Sequence, residues 1–188
     1  MPIADESPRT ITELCLAHER GDRLQYLCFW GHTPSRDGTV GKECLSQWWV
    51  APFTVDGVTY SSAEHWMMAH KARLFGDEET FEKIIGAGHP QEAKNLGRTI
   101  SGFDEDAWVA NRFEVVVAGN VAKFEQNTEL GAFLLGTRDR ILVEASPRDR
   151  IWGIGLTAAD ERTADPHRWE GLNLLGFALM EARARMVR

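Results

Sequence analysis

"AEHWMMAHKA", residues 63–72, has the residue spacing of a helix, yet two of its charges occupy unusual places. At about 100° per residue, Glu64 and Lys71 project within roughly 20° of each other. Met67, Met68 and, one turn later, Phe75 share that face. A carboxylate and an ammonium therefore lie on the kind of apolar stripe that a helix turns toward a core. Each has an ordinary explanation. With Ser61 as N-cap, "SSAE" is a capping box in which Glu64 reaches back to the Ser61 N–H. Lys71 can lay its stem over the methionines and keep its head in water. Together they also have a chemical explanation. A lysine walled by Met68 and Phe75 loses hydration, which lowers its pKa toward that of a nucleophilic amine. A carboxylate one to two turns away can then move protons.

On the N-terminal side, "FTVDGVTY" (53–60) reads as a hairpin, because Asp56-Gly57 supplies the positive φ angles that a two-residue turn requires. "LQYLCFW" (24–30) reads as a strand, followed by the long polar loop "GHTPSRDGTVGKE" (31–43). "TITE" fits a capping box that opens a short helix near Thr10, ending before Gly21. On the C-terminal side, helices are expected over 77–86, 90–97, 105–125, 128–136 and 173–186. Asp77 and Asp104 are N-caps, and Pro90 suits a first helical position. "RILVEAS" (140–146) reads as a strand between the last two helices. Helices outnumber strands, which makes the fold class α+β: one helix-rich domain with a small sheet and a hairpin.

The 188 residues suffice for one domain over the whole chain, with 1–25 as an extension to a core of about 26–184. With 43% hydrophobic and 26% charged residues, the composition is that of a folded chain. No apolar run is long enough for a membrane span, and "MPIADESPRT" lacks the basic and apolar regions of a signal peptide. Cys15, Cys28 and Cys44 are odd in number and show no CxxC spacing, which points to the reducing cytoplasm. A net charge of −7 argues against bulk nucleic-acid binding but allows a phosphorylated ligand in a local basic pocket. Seven tryptophans serve either as core filler or as walls for a planar ring.

Metal chemistry has little support. His65 and His70 point roughly 140° apart on a helix, and neither HExxH nor a cysteine cluster is present. No GxSxG elbow supports a serine nucleophile, and "GAG" (86–88) is too short for a phosphate loop. The 105–125 helix offers more. Val109, Phe113, Val116, Val117 and Phe124 form its core stripe, and Trp108, Arg112, Gly119 and Lys123 line a flank within about 80°. That flank is either solvated or a nucleotide-binding wall with a stacking plate and two cations. In "EASPRDRIWGIG" (144–155), Asp149 and Trp152 stand where a strand gives way to a glycine loop, as a turn residue and a buried ring or as site residues. Asn173 precedes the last helix, where N-capping is the default role.

Five ordered segments carry a resemblance: "LSQWWVAPFTVDGVTYSSAEHWMMAHKARLFGD" (45–77), "EAKNLGR" (92–98), "KFEQNTEL" (123–130), "LVEASPRDRIWGIG" (142–155) and "GLNLLGFALMEAR" (171–183). Over residues 26–184 the chain resembles the NADAR/YbiA-like family, which is associated with cleavage of N-glycosidic bonds in riboflavin-pathway intermediates and ADP-ribosylated guanine. The resemblance implies a single helix-rich α+β domain with a ribosyl pocket. It also implies Glu64 as acid/base, Lys71 as the helix lysine, and Asp149 and Trp152 as the pair beside WGIG. Many members have Ser-Asn-Phe in place of Ser46-Gln47-Trp48 and glutamine in place of Met68, departures that bear on substrate rather than reaction type.

The expected substrate is a phosphorylated ribosyl or ADP-ribosyl group on an exocyclic base amine, including a guanine of nucleic acid. No metal or redox cofactor is required. Lys71 would add to C1, expel the base amine and leave a Schiff base for water, with Glu64 shuttling protons and Asp149 assisting. A rival pairs Glu64 with Asp149 through an oxocarbenium-like transition state and leaves Lys71 to bind phosphate or sugar. A third reading is a nucleotide reader without turnover. Trp108, Arg112 and Lys123, with Trp152 and Asn173 as further binding residues, favour ADP-ribosyl-guanine over the riboflavin-pathway ribosylaminopyrimidine phosphate.

Overall fold

The computed structural model describes residues 8–187. Residues 1–7, part of the N-terminal stretch read for a leader, lie outside them. In chain order the elements are α1 (Ile11–Glu19), β1 (Tyr26–Phe29), β2 (Val50–Val55), β3 (Val58–Ser62), α2 (Ala63–Leu74), α3 (Glu78–Ile85), α4 (Pro90–Leu96), α5 (Glu105–Gln126), α6 (Thr128–Gly136), β4 (Ile141–Glu144) and α7 (Leu174–Met186). Short 3-10 turns intervene, one of them at Lys42–Leu45. The α+β, helix-rich reading holds, and the expected elements appear within a few residues of their expected ends.

The hairpin is longer than the sequence suggested. β2 and β3 pair antiparallel from Val55↔Val58 out to Val50↔Ser62, with an irregularity between Val50 and Phe53. Asp56 and Gly57 have φ of 49° and 78°, the conformation that closes a two-residue turn. β1 and β4 form a separate parallel pair, Tyr26↔Ile141 to Phe29↔Glu144.

α2 is the hub. It packs against α3, α4, α5 and β3, while α5 also lies on α7, which covers β4. Almost every α2 residue from Ala63 to Ala72 is buried, so this helix has no solvated face in the usual sense. Trp66 inserts toward α5, donating from Nε1 to the Val115 carbonyl at 2.7 Å and stacking on His70. It fits because residue 119 is glycine: a Cβ there would overlap the Trp66 indole. The close approach that Gly119 permits therefore serves a helix–helix contact rather than a ligand. Leu14, within the stretch expected to be an extension, is fully buried in the core.

Candidate active site

The register at the start of α2 differs by one residue from the expected one. Ser62, not Ser61, is the N-cap, accepting from the His65 N–H at 3.4 Å. Glu64 therefore sits one position too early to close a capping box. Its backbone N–H goes instead to the Gln47 carbonyl at 2.9 Å. The Glu64 side chain is 3% exposed, and its Oε1 has no hydrogen-bond partner among the described residues. A carboxyl desolvated in this way resists ionisation. Burial pushes Glu64 up to about 7, with Asp149 adding to the rise and Lys94, the Trp48 side chain and Arg98 opposing it.

Glu64 lies in a cleft of about 290 Å³. α2 supplies Glu64, Met67, Met68 and Lys71; the segment before β2 supplies Ser46, Gln47 and Trp48; α4 supplies Lys94, and the turn that follows it supplies Gly97 and Arg98. Glu144 at the end of β4, then Asp149, Ile151 and Trp152, close the remaining side, with Leu175 of α7. Three carboxyl groups and three cations thus converge on one cavity, and none of them joins an ion pair within 4 Å among the described residues.

Glu144 is the residue that sequence reading missed. Its Oε2 is sealed from solvent and unpaired. Burial first, then the charges of Asp149 and Glu64, raise it to about 8, against the opposing pull of Lys94. Because the Glu64 charge raises Glu144, the two carboxyls lose their protons in sequence rather than independently. The signal was present in "ILVE", where a carboxylate ends an otherwise wholly apolar strand. Lys94 and Arg98 were also missed, although both lie in "EAKNLGR", one of the segments that carry the resemblance.

Lys71 Nζ donates to the Gly97 carbonyl at 2.9 Å and lies 4.2 Å from the Phe103 ring centroid and 5.8 Å from that of Trp108. Burial lowers its pKa, with Glu105 pulling the other way. Gly97 is fitted to this arrangement, since a Cβ there would run into the Met68 sulfur. Asp149 is a turn residue that also lines the cleft. Its Oδ1 accepts from the N–H groups of Ile151 (2.9 Å) and Trp152 (2.7 Å), a turn that also sets the Trp152 ring against the cleft.

A second basin of about 540 Å³ continues from the first, sharing Lys71, Gly97, Arg98, Ile151 and Trp152 and adding Ile100, Phe103, Glu105, Trp108 and Arg112. The expected α5 wall is thus split. Trp108 and Arg112 reach this basin, whereas Lys123 does not. It is completely buried, lines neither basin and donates to the carbonyls of Cys44 (2.7 Å) and Ser46 (2.9 Å). Asn173 stands outside the cleft too. It occupies the position before α7 with φ 53°, but its side chain makes no capping bond. Instead Nδ2 donates to Leu142 O at 2.9 Å and Oδ1 accepts from Glu144 N at 3.0 Å. One side chain thereby stands in for a neighbouring strand along the free edge of β4 and fixes the backbone from which Glu144 projects.

An α+β fold that gathers unpaired, proton-retaining carboxyls around an underhydrated lysine has the equipment of an acid/base hydrolase. The NADAR domain family model matches residues 28–187, and the chain belongs to that family. It is 41% identical over 164 residues to N-glycosidase R617 of Acanthamoeba polyphaga mimivirus, covering 85% of this chain and 95% of that protein. It is 35% identical over 135 residues to N-glycosidase YbiA of Escherichia coli, covering 72% and 76%. The NMR structure of E. coli YbiA superposes with a TM-score of 0.66 at 29% identity, over 87% of this chain and 85% of that one. A third relative, the chloroplastic riboflavin biosynthesis protein PYRR of Zea mays, is 32% identical over 139 residues, or 70% of this chain and 20% of that protein. The family places the chain among hydrolases that act on N-glycosyl compounds.

Proposed function

We propose that the chain hydrolyses the bond between ribose C1 and an exocyclic amine of a base, with ADP-ribosylated guanine as the preferred substrate. The observation that carries this reading is the shared cleft: Glu64, holding its proton to about pH 7, lies in the same cavity as Lys71, whose amine is lowered by burial. In a glycosylamine of this type the sugar ring opens as O4′ takes a proton and the nitrogen lone pair forms an imine to C1. A neutral Lys71 amine adds to C1, and the base amine leaves once protonated. The resulting lysine Schiff base is hydrolysed by water to the free sugar and regenerated lysine. Glu64 supplies and recovers the protons. Asp149 flanks the same space and stabilises the cationic imine, while Glu144 offers a second protonated carboxyl beside it.

The two joined basins support the larger substrate. Ribose 5-phosphate with a pyrimidine fills a cavity of the size of the first, whereas a diphosphate and adenine need the second, where Trp108 offers a plate and Arg98 and Arg112 offer cations. A rival mechanism draws on the convergence of Glu64, Glu144 and Asp149, in which two carboxyls act directly on the ring sugar and Lys71 remains a cation. Incubating the protein with ADP-ribosylated guanine and, separately, with the ribosylaminopyrimidine phosphate, and following base release, tests the reading. Faster release from the pyrimidine substrate overturns the substrate preference, and no release from either overturns the activity.

A further inference from the structure

Gln47 is 6% exposed and lines the first basin but not the second. Its two amide ends have different fates. Oε1 accepts from Asn120 Nδ2 at 2.9 Å, while Nε2 is buried with no partner among the described residues. The orientation is fixed by chemistry. Asn120 Nδ2 also donates to the Val116 carbonyl at 2.9 Å, and only the NH₂ end of an asparagine can serve a backbone carbonyl. Asn120 must therefore present a donor to residue 47, and Gln47 must answer with its oxygen, leaving its own NH₂ free. Asn120 Oδ1 is itself unpaired, as expected of a residue kept for its donor end. The backbone around Gln47 is equally constrained. Lys123 clamps the carbonyls of Cys44 and Ser46, and the Gln47 carbonyl accepts the Glu64 N–H.

A buried donor without an acceptor opposes folding, and where one persists at a cleft the missing acceptor is a natural property of the ligand. Gln47 is tied through its own main chain to Glu64, so its free amide belongs to the part of the cleft where the sugar reacts. We propose that Gln47 Nε2 donates a hydrogen bond to the ribose hydroxyl next to the anomeric carbon, and that Asn120 is the positioning residue that aims it. The proposal rests on the N-glycosidase reading for the identity of the sugar. It makes the cleft selective for ribosyl over 2′-deoxyribosyl groups.

Four probes test it by titration of tryptophan fluorescence: ADP-ribose, its analogue lacking the 2″-hydroxyl of the terminal ribose, ribose 5-phosphate and 2-deoxyribose 5-phosphate. The wild-type protein binds the ribosyl member of a pair about tenfold more tightly than the deoxy member. Gln47→Met binds both members with the same, weaker affinity, and so does the double variant Gln47→Met/Asn120→Leu. Asn120→Ala, which frees the amide to rotate, reduces the discrimination and reports on the same contact if Gln47→Met does not fold. A Gln47 that merely satisfied Asn120 would leave discrimination intact in the single variant. That result overturns the proposal, as does wild-type protein that binds both members of each pair equally or binds none of the four. Discrimination that Gln47→Met abolishes, in a protein that releases no base from either candidate substrate, upholds the contact and removes the N-glycosidase reading instead.

Discussion

Replacing Glu64 by glutamine preserves shape and removes only the ability to ionise. The carboxyl sits at about 7 against an ordinary 4.5, a difference worth about 3 kcal/mol between the protonated and ionised forms. The folded chain holds this proton more tightly than the unfolded one. The group's contribution to stability is therefore complete below its unfolded value of 4.5 and is lost as pH rises through about 7. Lys123 has the opposite slope. Burial brings it down to about 7, so it costs stability while charged and ceases to do so as pH rises from there. Lys123 is common to both proteins, and the difference between wild type and Glu64→Gln cancels it. That difference shifts in favour of the variant by roughly 2–3 kcal/mol between about pH 5 and pH 8. Urea unfolding at intervals across the range measures it, and base release measured alongside falls by about 10²–10⁴ if Glu64 transfers protons. A gap that does not change with pH refutes the argument that the fold holds Glu64 neutral. An unchanged rate returns Glu64 to a purely structural part.

Lys71→Arg keeps the charge but cannot form an imine, so turnover is lost while melting changes little; borohydride added to the working wild-type enzyme leaves a sugar adduct on the peptide containing Lys71, and near wild-type activity in the variant favours the paired carboxylates. Arg112→Ala raises KM for the ADP-ribosylated base more than it lowers kcat, as expected when uniform binding is removed; an unchanged KM takes Arg112 out of the substrate wall. Lys123→Met leaves two main-chain carbonyls unpaired and costs stability of about 1–3 kcal/mol, measured by urea unfolding; unchanged stability shows that the clamp is dispensable.

What the sequence revealed depended on range. The common face of Glu64 and Lys71 follows from local helical geometry, and Asp56-Gly57 dictates its turn through backbone sterics alone. The Trp152 and Asp149 placement, at a strand-to-loop junction, was legible for the same reason. Lys123 was not, because its partners are main-chain carbonyls of Cys44 and Ser46, and nothing in a helical wheel distinguishes a solvated cation from one that plugs a distant loop. Asn173 looked like a cap because its position is that of a cap, and only the free edge of β4 gives its side chain another use. Glu144 is the instructive omission. A carboxyl at the end of an apolar strand acquires meaning only when Glu64 is brought beside it by the tertiary fold.

The parallel pairing of β1 with β4 also fixes an order of assembly. Glu64 and Lys71 ride on a helix that begins directly after a tight hairpin, so their surroundings form from neighbouring chain. Glu144 arrives only when Tyr26–Phe29 has closed on Ile141–Glu144, a loop spanning most of the polypeptide, and its backbone is pinned only after Asn173 has been made. Contacts so distant in sequence are slow to form because the loop entropy must be met before they contribute. During synthesis Glu64 and Lys71 therefore emerge together, long before Glu144 and Asp149, so a nascent chain carries the amine with only part of its surroundings.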